Sequence, residues 1–227
     1  MLAPLRDHLS PKDPNSSPLL IMTKEHYLNR LLAQDDPSEP DLEEMQWIVS
    51  EDVNVEHLLN VFTSVDTDSD DIWEICAIFM RHLYYHKARP TILGPKIEAL
   101  SDSYHFKPEC LFWLAQLFYS VGNYAECKQL LIHTLELWKD KGDAHDVAGT
   151  LVLLASTSRL LWLPKEGIEQ AEEALGIYRQ LNDLDGQATS LRQLARLFLI
   201  DNQLDSAEEA TSKIINLLQD EAGPLEV

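Results

Sequence analysis

The sequence predicts an all-α chain in which irregular helices precede a solenoid of helical hairpins. Apolar residues recur every 40 residues through the C-terminal half, with no insertion. Inside each period they fall at i, i+3, i+4 and i+7, the spacing of one helix face. Glycine is scarce, 8 in 227 residues, which argues against a sheet protein with many tight turns. Leu, Ala, Glu and Gln dominate the second half and favour helices.

The repeat can be followed position by position. Leu111, Leu151 and Leu191 share one place, as do Leu114, Leu154 and Leu194, and Ala115, Ala155 and Ala195. Phe118 and Phe198 share another, with Ser158 between them. Leu137, Ile177 and Leu217 keep register at the far end, beside Trp138, Tyr178 and Leu218. Breakers divide each period: Gly122-Asn123, then Pro164, then Asp201-Asn202. Gly142-Asp143 and Asn182-Asp183 close the first two periods, Gly or Asn supplying a left-handed residue and Asp capping the next helix. Pro164 suits a first helical turn, where its missing N–H costs nothing. Three hairpins follow, at about 107–143, 144–183 and 184–221 of a region spanning 107–227. The alanines let partner helices approach, and stacking covers the face that one hairpin leaves bare.

The residues Leu111, Leu114-Ala115, Phe118, Gly122-Asn123-Tyr124 and Cys127 resemble a tetratricopeptide repeat (TPR), and Leu194-Ala195, Phe198, Leu204 and Ala207 are similar. The period is longer than the usual ~34 residues, the closing proline is absent, and Ser158 and Gly167 stand at signature positions of the second unit. The resemblance implies a right-handed solenoid, a protein-interaction role as scaffold or sensor, and a concave groove lined by the first helix of each hairpin. On that basis Trp113, Gln116, Arg159, Arg192 and Arg196 are the candidate partner-binding residues. Arg192 and Arg196, four apart on one face, repel unless an acid satisfies them. Guanidinium forks suit carboxylates, so an acidic peptide or chain terminus is the expected partner, with the protein's own acids as the alternative.

Upstream, two regions differ from the repeats. Residues 1–40 hold six of the eleven prolines (Pro4, Pro11, Pro14, Pro18, Pro37, Pro40) and leave room for one short helix, over Thr23–Ala33. Residues 41–106 form an acidic, irregular helical region. Asp70 or Asp71 starts a strongly apolar helix through Leu83, and a short helix over Thr91–Leu100 could complete a degenerate extra hairpin. The Pro-Leu-Arg-Asp run near Met1, Asp35-Asp36-Pro37, Pro40 to Trp47 and Asn54 to Leu59 resemble the linker before the C-terminal repeats of fungal STAND-type NTPases. That resemblance implies a regulatory or oligomerising fragment whose nucleotide module lies outside this chain. No GxxxxGK[ST] motif occurs here, so ATPase activity does not carry over.

Charge excludes further classes. The net charge is −20, and Asp35 to Glu74 contains fourteen acids with no Lys or Arg. Such a surface repels phosphate backbones and anionic membranes. No apolar run is long enough to span a bilayer and no signal peptide is evident, so a cytoplasmic location is expected. Cys76, Cys110 and Cys127 lie in apolar helical patterns without CxxC spacing and are expected as buried thiols. Asp66, Asp68 and Asp70 match the first ligands of a calcium loop, but Asp71 stands at the obligatory glycine and Ala77 at the closing glutamate. His82 and His86 are four apart with no third ligand. No catalytic, cofactor or metal site is expected. Ile214, Ile215, Leu217 and Leu218 lie on a last helix with no capping helix after it, which suggests self-association.

Overall fold

The computed structural model describes residues 55–56, 59–60, the helix Asp70–Tyr85 and residues 107–222. Of these, 89% are helical and none is in a strand. In chain order the helices are α1 (Asp70–Tyr85), α2 (Pro108–Ser120), α3 (Tyr124–Lys141), α4 (Ala144–Leu160), α5 (Pro164–Leu181), α6 (Leu184–Ile200) and α7 (Leu204–Ala222). The chain divides into two compact units at Val121/Gly122. Most residues carrying the STAND resemblance, the Thr91–Leu100 segment, His86 and the aspartates before Asp70 lie outside the described residues.

In the first unit α1 packs on α2. Trp73, Cys76, Phe79 and Met80 of α1 are buried, as are Cys110, Leu111 and Leu114 of α2. The Cys110 thiol donates to the Trp73 carbonyl at 3.2 Å. Pro108 opens α2 at its first turn after Lys107, which is extended (φ −84°, ψ 117°).

In the second unit each helix packs on the next, and α4 also touches α6. The chain turns where cap chemistry demands. Gly142 (φ 78°) and Asn182 (φ 55°) end α3 and α5 in the left-handed conformation. After α5, the Asn182 N–H bonds to Arg179 O and the Asp183 N–H to Tyr178 O, which satisfies two terminal carbonyls. Asp143 then accepts from the His145 and Asp146 amides, and Asp183 accepts from the Gly186 amide at 2.8 Å. The turns inside the periods carry a left-handed residue 40 positions apart: Gly122, Trp162 and Asn202. Trp162 is the outlier, a bulky residue at φ 59° that is 76% exposed. The sequence pointed to Pro164 as the breaker of this hairpin; Pro164 starts α5, but Trp162 makes the turn.

Small residues set how closely the helices stack. Cys127, Gly167 and Ala207 occupy one register position, and all are buried. Cys127 Sγ lies 3.5 Å from Thr157 Oγ1 of α4. One period on, a Cβ at Gly167 would lie 2.6 Å from Leu197 Cδ2 of α6 and 3.3 Å from the Ala155 carbonyl. Gly167 therefore departs from the repeat signature to admit Leu197. Around this contact Ala155, Ala171, Leu175, Leu191, Leu194, Leu197 and Ala210 form a core, against which Ile214 and Leu217 of α7 also pack. Ile215 stays exposed.

A second core joins Trp138, Val147, Ala148, Leu151, Ala174 and Tyr178. Here the Tyr178 ring lies against the first turn of α6, where a Cβ at Gly186 would come 2.2–2.5 Å from three ring atoms. His145 meets the ring edge-on at 5.7 Å, and its Nε2 lies 3.4 Å from Asp183 Oδ2. Burial, with the nearby carboxylates of Asp183 and Asp146, pushes the Tyr178 hydroxyl up to about 12.

Outside the cores, ion pairs zip α3 to α5, and a hydrogen bond from α4 joins them. Lys128 pairs with Glu166 at 2.7 Å, and Lys139 with Glu173 at 3.0 Å. Ser158 Oγ donates to Gln170 Oε1 at 2.9 Å, and Gln170 Nε2 donates to Glu166 Oε1 at 3.2 Å.

Three variants test these contacts. Gly176→Ala, with nothing within 4 Å of the new methyl, should stabilise the protein in urea by up to about 1 kcal/mol through helix propensity. Gly186→Ala should destabilise it by about 1–3 kcal/mol, because the rigid ring cannot yield. Between pH 10 and pH 12 the unfolded chain releases a proton that folded Tyr178 keeps, its pKa being about 12. Stability is thus intact below the lower value and falls as pH rises through the window. The Tm of the parent should drop more steeply there than that of Tyr178→Phe.

Candidate functional site

The candidate residues fall in both units. Trp113 and Gln116 belong to α2 in the first and are half-buried. Trp113 packs with Tyr84, Tyr85 and Phe112 at ring-centroid distances of 5.6–6.3 Å. It also lines a cavity of about 260 Å³ with Trp73, Arg81 and Glu109. The Tyr84 and Tyr85 rings are 5.4 Å apart, and Tyr85 is 57% exposed.

Arg159, Arg192 and Arg196 belong to the second unit. Arg192 and Arg196 stand one turn apart on α6, and both are exposed. Arg159 lies in the last turn of α4, half-buried, with Nε sequestered and bonded to nothing. In the repeat register Val152 corresponds to Arg192, Ser156 to Arg196 and Arg159 to Leu199, so the three arginines fall on equivalent faces of two helices, α4 and α6, that pack together. Arg192 Nη2 donates to Thr189 Oγ1 at 2.9 Å. Among the described residues, no carboxylate lies within ion-pair distance of any of the three arginines. The protein's own acids, the alternative raised by the sequence, do not neutralise this face within the described residues.

Sequence reasoning missed Leu199. It lies three residues after Arg196 and seven after Arg192, on their face, and is 58% exposed. Apolar residues on that helix read as core, and only packing reveals that Leu197 faces inward and Leu199 outward. The arrangement offers planar charged donors beside an exposed apolar side chain, suited to carboxylates and aliphatic groups together.

No reactive constellation accompanies it. Cys76, Cys110 and Cys127 are buried and unbridged. Among the described residues no group of three His, Cys, Asp or Glu side chains could hold a metal ion. No helix among them is long and apolar enough to cross a membrane.

No family model and no curated protein matches the sequence. Solved structures do. A point-variant crystal structure of nearly identical TPR-like repeats, from a Podosopora anserina putative kinesin light chain, aligns with a TM-score of 0.62 and 12% identity. It covers 87% of this chain and 93% of the other. A structure of such repeats without the substitution aligns at TM-score 0.59 and 13% identity, over 93% of this chain and 100% of the other. Identity this low speaks to architecture alone: the chain has a TPR-like repeat fold.

Proposed function

We propose that this chain is a protein-interaction module, scaffold or sensor, that captures an acidic peptide or chain terminus on the face carrying Arg159, Arg192 and Arg196. Support comes from three arginines on equivalent faces of α4 and α6, none with a carboxylate partner among the described residues, although the chain has 38 acids to 18 bases. Leu199 supplies apolar contact beside them. The repulsion between Arg192 and Arg196 costs only about 0.2–0.5 kcal/mol. Each exposed ion pair with a ligand carboxylate contributes about 0–1 kcal/mol, and a fork engaging both oxygens adds geometric specificity, so an acid offsets that repulsion. Trp113 and Gln116 are a further contact surface on α2. The role is binding rather than catalysis, with no cofactor, in the cytoplasm.

Arg192→Glu combined with Arg196→Glu should weaken recovery of the bound protein in affinity capture by about ten-fold or more. Circular dichroism should be unchanged. Equal recovery by the variant would rule out this face.

We also infer a second role from the linker-like segments near the N-terminus: the chain as regulatory end of a STAND-type NTPase. An in-frame phosphate-binding loop in the genomic sequence upstream of Met1 is then expected. Its absence would remove the idea.

A further inference from the structure

The seam between α5 and α7 repeats the register of the seam between α3 and α5 but none of its fastenings. Ile168 and Ser206 stand where Lys128 and Glu166 pair one period earlier. Beside the seams, Phe198 of α6 and Ala210 of α7 stand where Ser158 of α4 bonds to Gln170 of α5. Arg179 and Lys213 stand where Lys139 pairs with Glu173. Each exchange opens the seam: Gln becomes Ala, Glu becomes Ser, and an ion pair becomes two cations.

A cleft of about 420 Å³ lies at this seam, with Leu175, Leu191, Leu194, Phe198 and Ala210 among its lining; of these all but Phe198 are buried. That volume is in the range of roughly 300–1,000 Å³ typical of ligand pockets. Arg179 has no ion-pair partner among the described residues, while Lys213 holds Glu209 of its own helix at 2.7 Å. Glu172 and Glu209 also line the cleft, nearer the helix N-termini. Its rim is thus acidic toward one end and basic toward the other, which disfavours a polyanion such as a nucleic acid.

We infer that this cleft is a second binding site, for a peptide segment that places an apolar side chain against Phe198 and a carboxylate between Arg179 and Lys213. The ligand's carboxylate takes the position that Glu173 holds opposite Lys139 one period earlier. The site does not depend on the arginine face of α4 and α6, since its rims belong to α5 and α7.

The test uses a random-peptide library displayed on phage and the full chain. Selected peptides should be enriched in Asp or Glu next to Leu, Ile, Phe or Trp. Lys213→Glu supplies the missing carboxylate opposite Arg179, and Ala210→Gln refills the floor. Both should weaken the selected peptides by about ten-fold or more, with circular dichroism unchanged in each variant. Arg192→Glu with Arg196→Glu should leave these peptides bound. Selection without acidic enrichment, failure to select any peptide, or undiminished binding to both cleft variants would overturn the proposal. Peptides lost only in the Arg192/Arg196 variant would also overturn it, while supporting the other face.

Discussion

The second unit depends on how near α5 can come to α6. At Gly167 the two helices leave no room for a side chain: a methyl there would meet Leu197 at 2.6 Å and the Ala155 carbonyl at 3.3 Å. One period earlier the same crossing is shared between two mid-sized residues, Cys127 and Thr157. Volume is traded across the contact, so spacing can be kept while identities change, as close-packed interiors require. The core around Ala155, Leu194 and Leu197 forms only at that spacing. Since a lone hairpin leaves one apolar side bare, this crossing is what lets successive hairpins cover one another.

Once the crossings carry the stack, the seams between second helices are free to differ. The ion pairs joining α3 to α5 are part-exposed, with side-chain exposures of 19–49%, and such pairs contribute about 0–1 kcal/mol each. Replacing them between α5 and α7 therefore costs the fold little. The same replacement removes the polar zip and leaves Phe198 only partly buried. Stability and accessibility are separated within one repeat: the small-residue crossing sets the first, the seam sets the second.

Electrostatics works at short range here. A net charge of −20 opposes an acidic ligand at a distance, but at physiological salt charges beyond about 8 Å are largely screened. On the face proposed for binding, a carboxylate would meet Arg159, Arg192 and Arg196, whose planar donors match its two oxygens.

The period, the helical faces and the helix ends were legible in the sequence. Gly142, Asn182, Asp143 and Asp183 act at the caps as their chemistry dictates, and the three cysteines are buried in apolar helices as their surroundings implied. These features are decided within one or two turns of chain, where side-chain size, missing donors and left-handed tolerance operate. Trp162 at a left-handed turn, Gly167 against Leu197, Gly186 beneath Tyr178 and the outward Leu199 were not legible. Each depends on a partner helix brought close by the fold, and sequence spacing does not say which side of a helix that partner will cover. The sequence alone thus determined that this chain stacks helical hairpins at a constant period. Tertiary packing alone decided which seam is zipped and which stands open, because that choice rests on side chains roughly one period apart meeting in space.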